Sequence, residues 1–193
     1  MSNPGSAVKA IHLVPNRDCG ECTSCCKDLT VDSPELKKAP GIVCVHCVQG
    51  KGCDIYETRP PVCRVWYCGW RQMPQLDEFW RPDRSEILIT AATKHIPAGY
   101  PPDGLTFELI GSLERVTWHP FLNVICGLIA DSIPVFLSVR GKPGYVSGNI
   151  FLNDDLSGVI AARDPAKIVE KLLGALEACA NLPSKKVEFD GSN

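Results

Sequence analysis

Cys19-Gly20-Glu21-Cys22-Thr23-Ser24-Cys25-Cys26 is the stretch whose reading decides the organisation of this chain. Two Cys-x-x-Cys steps share Cys22, and a fourth thiol follows at once. Such a step turns two thiolates toward one metal while the intervening amides point at the sulfurs, and zinc ribbons and iron–sulfur proteins both use it. Gly20 allows the tight backbone that a ligand loop needs. Cys25 and Cys26 are neighbours whose side chains do not easily face the same way. They suit two metals, or one ligand and one packing group. Cys44, Cys47, Cys53, Cys63 and Cys68 follow, so nine of the eleven cysteines fall within residues 19–68. One step alone is weak; two overlapping steps trailed by five more thiols point strongly to metal.

The totals narrow the class. A chain of 193 residues that is 45% hydrophobic suits one domain, or one domain with a small appendage, with a real core. Net charge is -2, and residues 1–84 carry 11 basic and 10 acidic side chains. No basic surface is in view, so nucleic acid is not an expected partner. Met1 to Ala10 holds no apolar run and no cleavage-site pattern, so no secretory signal is read there. The longest apolar stretch, Phe121 to Val139, is broken by Asn123, Asp131 and Pro134. It reads as a buried helix followed by a strand, not as a membrane span. The expected location is therefore the cytoplasm, where reduced thiols favour metal over disulfides.

Along the chain, residues 1–18 read as a lead-in, with Ile11 to Val14 as a short strand or docked segment. Ser33 and Pro34 predict a short helix over Pro34 to Ala39, Ser as cap and Pro in the first helical position. Ile55 and Tyr56 open another, ended by Pro60 and Pro61. His46 lies between Cys44 and Cys47 and is read as supporting or surface; His12, His95 and His119 are read as surface or structural. Trp66, Trp70 and Trp80 are expected to roof the metal loops and exclude water. From residue 85 the sequence is ordinary globular chain. Glu86 to Thr93 and Leu105 to Ile110 read as strands, and Pro120 to Ala130 as a helix. Pro134 to Val139 and Tyr145 to Leu152 read as a hairpin around Gly141 to Gly144. Asp164-Pro165 starts a last amphipathic helix, and residues 183–193 are a polar tail. Cys126 and Cys179 fall on apolar helical faces and are read as core thiols. The predicted fold is α+β: a cysteine-rich, loop-built metal lobe over 1–84, packed on a small antiparallel sheet with two main helices over 85–193.

The order Cys19-x-x-Cys22-x-x-Cys25-Cys26, Cys44-x-His46, then Cys53-x-Ile55-Tyr56-x-x-Arg59-Pro60-x-x-Cys63-Arg64 resembles the bacterial CxxCxxCC cysteine-cluster family. That family is described as a zinc- or iron-chelating domain. The likeness spans about residues 17–71. A similar cysteine block occurs in flagellin lysine methylases. The resemblance implies Cys19, Cys22, Cys25, Cys26, Cys44, Cys53 and Cys63 as metal ligands. Cys47 departs from the pattern, at a position where the family more often has an apolar residue. Cys68 with Gly69-Trp70 looks like a subfamily feature, and Cys68 would bring the ligands to eight, enough for two four-sulfur sites. Tyr56, Arg59 and Arg64, beside Cys53 and Cys63, are expected to support the site by offsetting thiolate charge and bonding ligand-loop carbonyls.

Zinc and an iron–sulfur cluster both accept such a set, and ligand type does not choose between them. Two classes of function follow. One is a metal-binding protein whose metal is structural or stored. The other is a metal-dependent enzyme or redox partner acting on a protein. A dithiol redox protein would need a thioredoxin-like βαβ context, which the sequence lacks.

Overall fold

The computed structural model describes residues 12–189. Met1 to Ile11 lie outside the described residues; of the expected segment Ile11 to Val14, residues 12–14 form no strand, and Val14 N bonds Arg71 O at 2.8 Å, docking the segment on the helix Gly69–Gln72. The elements run α1 Ser24–Asp28, β1 Val31–Asp32, β2 Lys37–Lys38, β3 Cys47–Val48, β4 Gly52–Cys53, α2 Pro61–Arg64, α3 Gly69–Gln72 and α4 Pro82–Ser85. Then come β5 Ile87–Ala92, β6 Gly104–Leu109, α5 His119–Ala130, β7 Val135–Val139, β8 Tyr145–Val146, β9 Asn149–Phe151, α6 Asn153–Ala161, α7 Pro165–Asn181 and β10 Lys185–Lys186. The fold is α+β.

The main sheet has the order β5-β6-β7-β9. β5 pairs antiparallel with β6, and β7 with β9, but β6 and β7 run parallel. The parallel pair follows from the connection: α5 carries the chain back across the sheet, so β7 starts at the same end as β6. α5 buries Phe121, Ile125, Leu128 and Ile129, an i, i+4, i+7, i+8 stripe. α7 is capped by Asp164, whose carboxylate accepts from Lys167 N at 3.1 Å. Its Leu172, Ala175 and Cys179 are buried against the sheet. Phe107 of β6 meets Phe121 edge-on at 5.8 Å, fixing α5 on that face. Asn153, fully buried, accepts from Val135 N and donates to Ile133 O, both at 2.8 Å, which ties the start of α6 to β7.

Register assigns the opposite face. Leu88 pairs with Glu108 and Thr90 with Thr106, so these four share the side away from Phe107. The cysteine-bearing loops lie along this face and around the β5 edge. At Gly69 an added Cβ would sit 2.6 Å from Ile89 Cγ2, so α3 packs closely on β5. Cys68, Trp70, Leu76 and Trp80 join the same buried cluster as the sheet and helices.

Three local expectations are corrected. Residues 34–39 form no helix: Ser33 and Leu36 exchange backbone bonds at 3.0 and 3.3 Å, closing a hairpin between β1 and β2. Ser followed by Pro serves the first two positions of a β-turn as well as a helix start, and no apolar face follows to hold a helix. Pro61 opens α2 where it was expected to end a helix; only a 3-10 turn, Tyr56–Thr58, precedes it. The expected strand 145–152 is split: β9 pairs with β7, while β8 pairs with β10 from the polar tail.

The stretch 121–139 divides into α5 and β7, and no helix among the described residues is long and apolar enough to cross a membrane. Cys179 donates to Leu137 O at 3.1 Å, and Cys126 lies on α5. Replacing both with Ala is expected to cost about 1–3 kcal/mol through packing and to leave metal content unchanged. Chemical denaturation and metal analysis of the double variant check both halves of this statement.

Candidate metal centre

Short elements deliver the thiols. Cys22 N bonds Cys19 O at 2.9 Å, closing the turn before α1, which carries Cys25 and Cys26. Cys44 N bonds Cys26 O at 2.9 Å and lays the next loop against α1. The β3–β4 hairpin sets Cys47 opposite Cys53. Gly52 has φ +89°, and an added Cβ would lie 2.5 Å from Gly20 O. Only glycine lets the Cys53 hairpin touch the Cys19 loop backbone to backbone. α2 carries Cys63, and Cys68 immediately precedes α3.

Cys19, Cys22, Cys25, Cys26, Cys44, Cys53 and Cys63 all line one cavity of about 160 Å³. Cys68 lines an adjoining cavity of about 30 Å³ with Cys19, Cys22 and Cys25. Among the described residues, no three His, Cys, Asp or Glu side chains converge on a single ion position; the thiols rim a space. All eleven cysteines are free. Cys47 is hydrogen-bonded to the free Cys26 thiol but does not line the cavity. His46 lines it while pairing with Asp54 at 3.7 Å.

Ionising these thiols without a cation is unfavourable. Burial raises Cys22, Cys53, Cys63 and Cys47, and neighbouring thiols raise the last three further. Burial pushes Cys68 up to about 11. Cys26 is raised first by its hydrogen bond with Cys25 and then by burial. A nucleophilic or dithiol-redox cysteine needs the opposite shift. A bound metal would supply the missing positive charge and deprotonate the thiols that coordinated it.

Two buried cations face the cluster, and neither was singled out from the sequence. Lys38 is 5% exposed, and burial lowers its pKa. The residue lines the larger cavity, and its ammonium donates to the carbonyls of Lys27 (3.0 Å), Ala39 and Ile42 (both 3.1 Å), and Leu29. Arg71 is 7% exposed and lines the smaller cavity beside Cys19, Cys22 and Cys68. Its Nε and Nη1 have no hydrogen-bond partner among the described residues, although Nη1 lies 3.9 Å from Asp18. A guanidinium held only by a long ion pair to Asp18 and by the Tyr67 ring, set against a group of thiols, fits an anionic thiolate centre. In the sequence, the signal for Lys38 was only its alternation with exposed Lys37 on β2.

Of the three supporting residues named from sequence, two reach the site. The Tyr56 hydroxyl lies 4.0 Å from Cys19 Sγ. Arg59 stacks on the Tyr56 ring at 3.8 Å and donates to Cys63 O and Tyr56 O, both at 2.9 Å. Arg64 is exposed and lines neither cavity. Trp66 lines both cavities and Trp70 the smaller one. Trp80 departs from the expected roof: it packs on Phe107 and Trp118 in the core. Arg59→Leu is expected to lose metal to a chelator about tenfold more readily than wild type. Equal retention would confine Arg59 to the surface of the Tyr56 ring.

Comparison of the chain with protein-family models, with characterised proteins and with solved structures finds no match.

Proposed function

We propose that this chain is a thiolate-ligated metal protein with two four-thiol sets, Cys19, Cys22, Cys25 and Cys68 in one and Cys26, Cys44, Cys53 and Cys63 in the other. The observation that carries the reading is the gathering of eight thiols from fifty residues of loop around two adjoining cavities. The smaller cavity is lined by the first set, and the larger by the second set together with Cys19, Cys22 and Cys25. Lys38 and Arg71 offset the negative charge that either set acquires when bound.

The larger cavity suits an iron–sulfur cluster. A single zinc ion needs four donors about 2.3 Å from one point, whereas thiols spaced around a wide cavity suit a group that spreads its metal atoms. Leu29, Val31, Ile55, Val62 and Trp66 line the same space and keep it apolar. A bound cluster would supply one-electron chemistry with a potential set by charge, hydrogen bonds and exposure. The protein's own residues hold the thiols, neutralise them and exclude water. A second reading for that set alone is a structural zinc site, which would require its four sulfurs to close in on one point from the positions they hold here.

Anaerobic purification followed by visible spectroscopy and metal analysis tests both readings. Iron with sulfide and a dithionite-sensitive visible band supports the cluster. Colourless protein with zinc supports the structural reading, and metal-free folded protein overturns the proposal.

A further inference from the structure

A third cavity, of about 300 Å³, adjoins the large thiol cavity. Its walls come from both parts of the chain: Asp28, Leu29 and Thr30 after the cysteine run, and Thr90, Glu108, Arg140 and Tyr145 from the sheet and its edge. Leu29, Thr30 and Trp66 line this cavity and the large thiol cavity alike, so one thin wall separates them. The volume falls in the range of small-molecule sites.

The polar groups in it are left incomplete. Asp28 is 5% exposed, and its Oδ1 is ion-paired to Arg140 Nη2. Arg140 Nε is buried without a partner. Glu108, on the outer face of β6, makes no hydrogen bond or ion pair among the described residues. Asp28 is paired with Arg140 and also feels Lys27 and Lys38, which leaves Glu108 as the carboxylate without a partner. Buried polar groups in this state call for a partner. Leu29, Trp66 and Val146 give the remainder of the cavity an apolar lining.

We propose that this cavity binds a small organic molecule carrying a protonated primary amine and a nearby hydrogen-bond acceptor. The ammonium is received by Glu108, the acceptor takes the free Arg140 Nε–H, and the carbon chain lies along Trp66. Such a ligand gives both Glu108 and Arg140 Nε a partner. The site does not depend on the metal reading, because none of the residues receiving the ligand is one of the eight thiols.

Burial, with Asp28 nearby, raises Glu108 to about 7, while Arg140 opposes the shift. The groups facing it are Asp28 from α1, Arg140 after β7 and Tyr145 of β8. Ammonium binding requires ionised Glu108, so affinity rises with pH, by about tenfold from pH 6 to pH 8.

The probe is 4-aminobutanamide, compared with butanamide, which lacks the amine. Calorimetry on the full, metal-loaded chain should show binding of the amine with a Kd of about 1 mM or tighter. Butanamide should not bind. Glu108→Gln should weaken the amine at least about tenfold, remove the pH dependence and leave metal content unchanged. No binding of the amine at about tenfold above that Kd, or equal affinity for wild type and Glu108→Gln, overturns the site. Metal content, measured on the same samples, separates this outcome from failure of the metal reading.

Discussion

Protein carrying both Cys22→Ser and Cys53→Ser is expected to emerge from anaerobic purification almost free of metal, while each single variant loses only part. The two positions were chosen from different sets. Cys22 lines the small cavity with Cys19, Cys25 and Cys68; Cys53 reaches the large one on the β3–β4 hairpin. Serine keeps the size and removes the soft donor, and an alcohol is a poor ligand for zinc or iron beside thiolates. Each set falls to three thiols, which leaves an open position where a closed site had four. Metal stoichiometry per chain reads the result directly. If both singles lose everything, the eight thiols act as one centre and not as two sets. If the double variant keeps wild-type content, the assignment of these cysteines is refuted.

The C-terminal half was legible because its signals are redundant. Phe121, Ile125, Leu128 and Ile129 repeat at helical spacing between two prolines, and α5 covers that stretch. The apolar runs at Ile87–Ala92 and Val135–Val139 became strands for the same reason. Parallel pairing of β6 and β7 was not legible, because period-2 alternation reads the same in either direction. In the lobe, the cysteine spacing identified the side chains that gather but not the secondary structure that gathers them. Strands of two residues carry no periodicity, and Ser33-Pro34 signals a turn as readily as a helix. Lys38 and Arg71 escaped notice because a lysine or arginine is ordinarily solvated. Only the folded chain shows them buried at the thiols. Arg64, next to Cys63, was the more obvious candidate from sequence, yet it lies on the exposed side of α2.

Stripping the metal from the full chain is expected to unfold the cysteine loops and leave the sheet and its helices standing. Residues 12–67 place only Val31 and Cys44 among the buried apolar side chains, and their strands are two residues long. Ordering a loop costs about 1–2 kcal/mol per residue in backbone entropy, and so small a core does not offset it. Bound metal contributes about 10 kcal/mol or more to comparable structural sites. The buried cations add to the loss, because Arg71 and Lys38 face neutral thiols once the metal is gone. Hydrogen exchange before and after chelation measures the effect. The amides of Gly41 and Cys44, bonded to Lys27 O and Cys26 O, should lose protection, and those of Phe107 and Leu137 in the sheet should keep it. The pH dependence has opposite signs in the two states. Without metal, the thiols of Cys22, Cys53, Cys63 and Cys68 have raised pKa values. The neutral thiols therefore favour the folded loops below the ordinary thiol range, and that contribution is lost as pH rises through the raised values. With metal, the bound thiols are thiolates, protons compete with the metal, and chelation becomes easier as pH falls. Loop amides that stay fully protected after complete metal removal would show that the lobe folds by its own packing, and the metal would then be a passenger in a preformed cavity.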